Sequence, residues 1–174
     1  MQQLRKFLFR VFLTIFVYLF IDNYLSKWIP LLAKAWAFMF HLTLLPLKFT
    51  CLLFIRLAGY EVTSTYNIIQ VAGTDGIFLN NSTLGVGFMI SFIALILFYP
   101  GGSKKKKYWF IPLGLASIFI ANAIRLSYLA INDTTPGVYL VQEQQDAFSI
   151  AMFIQIFVLW LIWVKIINKI NLSA

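Results

Sequence analysis

Few residues in this chain have side chains suited to chemistry, and the most conspicuous is Arg125. It closes the run Ala121, Asn122, Ala123, Ile124, Arg125 inside an apolar stretch that begins at Tyr108. Counted from Tyr108 at 1.5 Å per residue, it lies about 26 Å along a bilayer core of about 30 Å, near one boundary. Asn122, three residues earlier, shares its helix face. An ionisable residue within a span marks a functional site by default. The alternative is an arginine whose stem follows apolar surface and whose head reaches the lipid headgroups. Two polar clusters reach the same depth: Asn80 to Gly85, entering the next apolar run, and Gln142 to Asp146, entering the last one. Together they present hydroxyl, amide, guanidinium and carboxylate groups at one level, a set suited to an extended peptide. The competing reading is capping, because Asn, Ser and Thr favour helix starts and Asp146 suits a helix N-terminus.

Other reactive side chains carry less. Cys51 lies between Thr50 and Leu52 with no base beside it, and reads as a buried structural cysteine. His41, between Phe40 and Leu42, reads as an interfacial histidine. One cysteine gives no internal disulfide, and one histidine gives no multi-histidine metal site. Gly85 and Gly87 form no phosphate loop, because no Gly-Lys-Ser/Thr follows; they suit close helix packing. No cofactor and no metal are expected.

The elements that position these residues belong in a membrane. The chain has 174 residues, 61% hydrophobic and only 11% charged. A soluble domain carries about 25% charged residues, so a water-soluble enzyme, a disordered chain and a disulfide-stapled protein are excluded. The lipid bilayer is the expected partner. The net charge of +8 is unevenly placed. Arg5, Lys6 and Arg10, a loop holding Lys104 to Lys107, and Lys165 with Lys169 mark the cytoplasmic side. Both termini are then cytoplasmic, and the acids face out. The tetralysine run lacks interleaved aromatics, so nucleic acid is not expected as a partner.

Spans are expected at Phe7–Leu25, Leu84–Tyr99, Tyr108 to about Ile131 and Ala147 to about Val164. Trp109, Trp160 and Trp163 fall where an aromatic belt would sit. Between Pro30 and Ala58, the side chains of Lys34, His41, Lys48 and Arg56 fall within about 80° on a helical wheel. That stripe suggests a long interfacial helix bent near Pro46; the rival is a helical hairpin turning at Pro46–Lys48. Val62 to Val71, the turn Ala72–Gly76 and Ile77 to Leu79 read as an outer β-hairpin. The fold class is all-α and polytopic, with about four to six transmembrane helices, an interfacial helix and the hairpin.

In order and spacing these features resemble the exosortase/archaeosortase family in its short Bacteroidetes-type form. The residues carrying the resemblance are Ser82–Gly87, Tyr99–Gly101 with the lysines and Trp109–Gly114, Asn122–Arg125, and Asp146–Ser149 running on to Ile156–Trp160. It covers roughly residues 59–165 and implies one exosortase-like transmembrane domain over residues 1–174. It also implies sortase-like chemistry: an external cysteine attacks a C-terminal signal made of a short motif, a transmembrane helix and a basic tail, and an acceptor then takes the acyl group. A histidine and an arginine assist. The family arginine and its asparagine fall on Arg125 and Asn122. The cysteine of the Cys-x-Gly motif falls on Thr83, with Gly85 as the glycine. The histidine falls on Gln145, with Asp146 and Phe148 matching and Ser149 in place of asparagine. Thr83, Arg125 and Gln145 are therefore the catalytic positions, and Asn122, Asp146 and Gly85 the binding ones.

Chemically the departures are large. A threonine hydroxyl is a weak nucleophile without a base, and glutamine is not a base. The expectation is an inactive exosortase-like protein. It would bind a membrane-embedded peptide tail, such as a C-terminal sorting signal, or serve with other membrane-protein subunits in an envelope complex. The alternative is a cysteine-independent transpeptidase or protease using Thr83, with Asp146 or water assisting.

Overall fold

A computed structural model describes residues 2–25, 28–74, 76–80, 83–132 and 138–171. It is an all-α membrane protein carrying a small antiparallel sheet. The helices are α1 (Gln2–Phe20), continued by a π-helical turn over Ile21–Leu25, α2 (Pro30–Leu57), α3 (Val86–Phe98), α4 (Lys104–Asn132) and α5 (Val138–Asn171). Three stretches are long and apolar enough to cross a bilayer: Ala33–Leu57, Lys104–Asn132 and Ser149–Ile166. Helix α3, expected as a full span, has only 13 residues. At 1.5 Å per residue it is about 20 Å long, short of a hydrocarbon core of about 30 Å. Among its residues only Leu97 is exposed, which is why its sequence is apolar all round.

The chain divides into two compact units. The first comprises residues 1–36, 87–118 and 153–174. Phe7 and Val11 of α1 pack with Ala94 of α3, and Phe7 meets Tyr99 edge-on at 5.7 Å. Phe92 lies against Phe110 and so close to Gly114 that a Cβ there would overlap its ring. Trp163, expected in a headgroup belt, is instead buried against Phe110, with ring centroids 5.0 Å apart. Trp109 is exposed, as a belt residue would be. The lysines Lys104–Lys107 form the first turn of α4 rather than a loop. The helix begins at Ser103, whose carbonyl accepts from the amides of Lys106 and Lys107.

The second unit comprises residues 37–86 and 119–152. Helix α2 runs through Pro46 without a break, which removes the hairpin alternative. The reason is the phase of its buried stripe. Leu44, Leu47, Cys51 and Ile55 continue in register across the proline, and all four are buried in one core. A turn at Pro46 would cut that face in two. The basic stripe lies beside this face, and Phe38, Leu42, Leu45, Phe49 and Leu53 form an exposed apolar side.

The expected hairpin is a three-stranded meander: β1 (Val62–Thr65), β2 (Ile68–Val71) and β3 (Ile77–Phe78), in that order. Val62 pairs with Val71 and Thr65 with Ile68, so Tyr66 and Asn67 make a two-residue turn inside the run expected as one strand. That turn contains no glycine and no positive φ, so it lacks the usual Asn-Gly type of hairpin signal. Ala72 and Gly73 form a turn after β2, and Gly76 adopts φ +80° where a Cβ would press on the Ile69 carbonyl. Val62, Ile69, Val71 and Ile77 face inward. They share the core with the α2 stripe and with Ala123, Leu126, Leu129 and Ala130 of α4.

Candidate functional site

The second unit brings Thr83, Gly85, Asn122 and Arg125 together, and the chain of contacts starts at Thr83. Just after the sheet, Asn80 and Thr83 cap one another. The Thr83 hydroxyl donates to the Asn80 carbonyl at 2.9 Å and accepts from the Asn80 amide at 2.8 Å. In return the Thr83 amide donates to Asn80 Oδ1 at 3.0 Å. This reciprocal arrangement closes the turn that precedes α3, which begins at Val86. It also commits the Thr83 hydroxyl proton to a peptide carbonyl, which is no base.

Asn122 is fully buried, and its side-chain amide donates to the Thr83 carbonyl at 3.0 Å. The α4 helix therefore grips the turn that leads into α3. Gly85 makes that approach feasible. It has φ +73°, and a Cβ built on it would lie 3.0 Å from Asn122 Nδ2. Two penalties fall on one position, so Gly85→Ala is expected to destabilise the protein by about 1–2 kcal/mol from the left-handed backbone alone. A melting curve in detergent checks it. An unchanged midpoint would show that the turn tolerates a side chain.

Arg125 lies one helical turn after Asn122 and is 6% exposed. Its Nη1 approaches Asn122 Oδ1 at 3.4 Å, a long contact at the limit of a hydrogen bond. Its Nε is buried without a hydrogen-bond partner among the described residues. The guanidinium is therefore packed into protein, not extended to the headgroups. Leaving a buried charged donor unpaired is costly, about 1–3 kcal/mol or more. The side chains of Gln145 and Asp146, on α5 within the same unit, lie outside the described residues.

Comparison with family models, curated proteins and solved structures returns no match. The arrangement therefore has to be read from its own chemistry. It offers a buried guanidinium whose Nε has no hydrogen-bond partner among the described residues, an amide beside it, and a hydroxyl already bonded within a turn.

Cys51 is the buried cysteine expected from its surroundings. The Cys51 thiol is buried between helices and donates to the Ala123 carbonyl at 3.5 Å. Ser127, whose hydroxyl donates to the Ala123 carbonyl at 2.8 Å, also reaches the Cys51 carbonyl at 3.4 Å. The cysteine thus belongs to a helix-to-helix polar contact. His41 Nε2 meets the Tyr66 hydroxyl at 2.9 Å, and the two rings are edge-on. This tie between α2 and the first sheet turn was not read from the sequence. The signal available was a tyrosine in a turn and a histidine on a helix, which does not identify them as partners.

Proposed function

We propose that this protein is an exosortase-like membrane protein that binds a membrane-embedded peptide tail and does not process it. The observation that carries the reading is the buried Arg125 Nε, which has no acceptor among the described residues. A peptide carboxylate or backbone carbonyl supplies that acceptor, and guanidinium suits both because its planar fork makes paired, charge-assisted bonds. The Thr83 hydroxyl supports the non-catalytic half of the reading. Its proton is spent on the Asn80 carbonyl, and a nucleophile needs a base that takes that proton. The working location is a bacterial cytoplasmic membrane, with the termini inside and the sheet outside, in an envelope complex or at a sorting step.

The direct test uses the full chain in nanodiscs with a synthetic tail: a short motif, a transmembrane helix and a basic end. The tail is expected to bind and to be recovered intact by mass spectrometry. A shortened tail, or one transferred to an added amine, would overturn the non-catalytic reading. Topology is tested separately with a membrane-impermeant maleimide on whole cells. Ala72 is exposed in the turn after β2, so Ala72→Cys is expected to label in intact cells. Wild-type Cys51, being buried, is expected to stay unlabelled. Labelling of Ala72→Cys only after permeabilisation would place the sheet inside.

A further inference from the structure

The first unit carries a cavity of about 300 Å³ where the N-terminal half of α1 meets the end of α3. Phe7, Leu97 and Phe98 line it together with the polar side chains of Gln3, Lys6 and Arg10. Lys6 and Arg10 are four residues apart on α1, so their side chains rise from one face. The end of a helix ordinarily presents free carbonyls and a partial negative charge, which would repel an anion. Here that repulsion is cancelled. The Lys107 ammonium donates to the carbonyls of Leu97 and Tyr99, both at 2.9 Å. With the helix end bound by Lys107, Lys6 and Arg10 meet no acidic side chain among the described residues that line the cavity.

We infer that this cavity binds the phosphate headgroup of an anionic phospholipid. The shape fits the two halves of such a molecule. A phosphodiester meets Lys6, Arg10 and the Gln3 amide, while the glycerol and first acyl carbons lie on Phe7 and Leu97. The volume is at the small end of ligand cavities, right for a headgroup and too small for a whole lipid. Basic pockets between membrane helices are suited to such headgroups. Charge placement agrees, because the exposed lysines Lys104–Lys106 lie in the first turn of α4, the same turn that supplies Lys107. This inference stands apart from the Arg125 reading, since it uses none of the same residues.

Native mass spectrometry of the full chain in detergent tests it, with phosphatidylglycerol, phosphatidylcholine or inorganic phosphate added. Phosphatidylglycerol adducts are expected to exceed phosphatidylcholine adducts about tenfold. The double variant Lys6→Gln/Arg10→Gln is expected to lose most of that preference, while Lys104→Gln/Lys105→Gln keeps it. Equal loss in both would reveal diffuse polybasic attraction and overturn the site. Displacement of the lipid by inorganic phosphate would overturn the lipid as occupant. Lys6→Arg/Arg10→Lys keeps both charges and is expected to retain the adducts; their loss there would overturn a headgroup held by charge.

Discussion

Replacing Arg125 with alanine is expected to lower affinity for a tail peptide about tenfold or more, while Thr83→Ala leaves it nearly unchanged. The first effect follows from burial. A guanidinium held at 6% exposure, its Nε without a partner among the described residues, is already desolvated, so an arriving acceptor gains a charge-assisted bond without further loss of hydration. Such bonds contribute about 1.5–3 kcal/mol, and about 1.4 kcal/mol is tenfold in binding. Arg125→Lys is expected to recover part of the affinity, because an ammonium supplies charge without the planar fork. The second effect follows from the cap. Removing the Thr83 hydroxyl leaves the Asn80 amide without its acceptor. Losing a cap of that kind lowers stability by about 1 kcal/mol and touches no ligand. Titration of labelled tail into nanodiscs measures both, with melting curves to establish that each variant is folded. A folded Thr83→Ala variant that no longer binds, or no longer supports a processing reaction seen in wild type, would restore Thr83 to the centre of the chemistry. An Arg125→Ala variant that binds as wild type would leave the arginine a packing residue.

What the sequence disclosed depended on how local the signal was. Membrane character was plain from composition, and the helices α4 and α5 from apolar runs of the right length; among the described residues α1, expected as a span, is not long and apolar enough to cross, whereas Ala33–Leu57, expected at the interface, is. Asn122 and Arg125 were paired correctly because i and i+3 on a helix share a face, a purely local rule. The elements that failed were those decided by tertiary contacts. The Tyr66–Asn67 turn carries no glycine, and only the pairing of Thr65 with Ile68 reveals it. At Pro46, by contrast, the expected long helix is present and the rival hairpin is not, because the stripe of Leu44, Leu47, Cys51 and Ile55 needs an unbroken face. Trp163 looked like a belt residue because tryptophan is common at headgroups, and nothing local marks Phe110 as its partner. The Asn80–Thr83 pair was expected as helix capping and instead closes a turn ahead of α3. Its consequence for Thr83 chemistry was not legible, since that depends on where one proton points.

Asn122 separates holding the fold from holding a ligand, because its two contacts have different strengths. The bond to the Thr83 carbonyl at 3.0 Å is well made, whereas the contact to Arg125 at 3.4 Å is marginal. Asn122→Ala strands a buried carbonyl and leaves a small void, so it is expected to destabilise by about 2–3 kcal/mol. In a chain of this length that is roughly 5–10 °C in melting midpoint. Asn122→Asp is expected to be no better for stability, since a carboxylate opposite the Thr83 carbonyl sets acceptor against acceptor. For binding the two variants should diverge. Alanine frees the guanidinium, so a folded Asn122→Ala protein keeps measurable affinity for the tail at low temperature. Aspartate pairs with Arg125 and neutralises it, and its charge repels an incoming carboxylate, so Asn122→Asp binds least of the three. Paired melting and titration curves check that order. Should Asn122→Asp bind the tail as tightly as wild type, Arg125 does not receive an acidic or carbonyl group from the peptide. The cluster would then serve only to fasten α4 to the turn before α3.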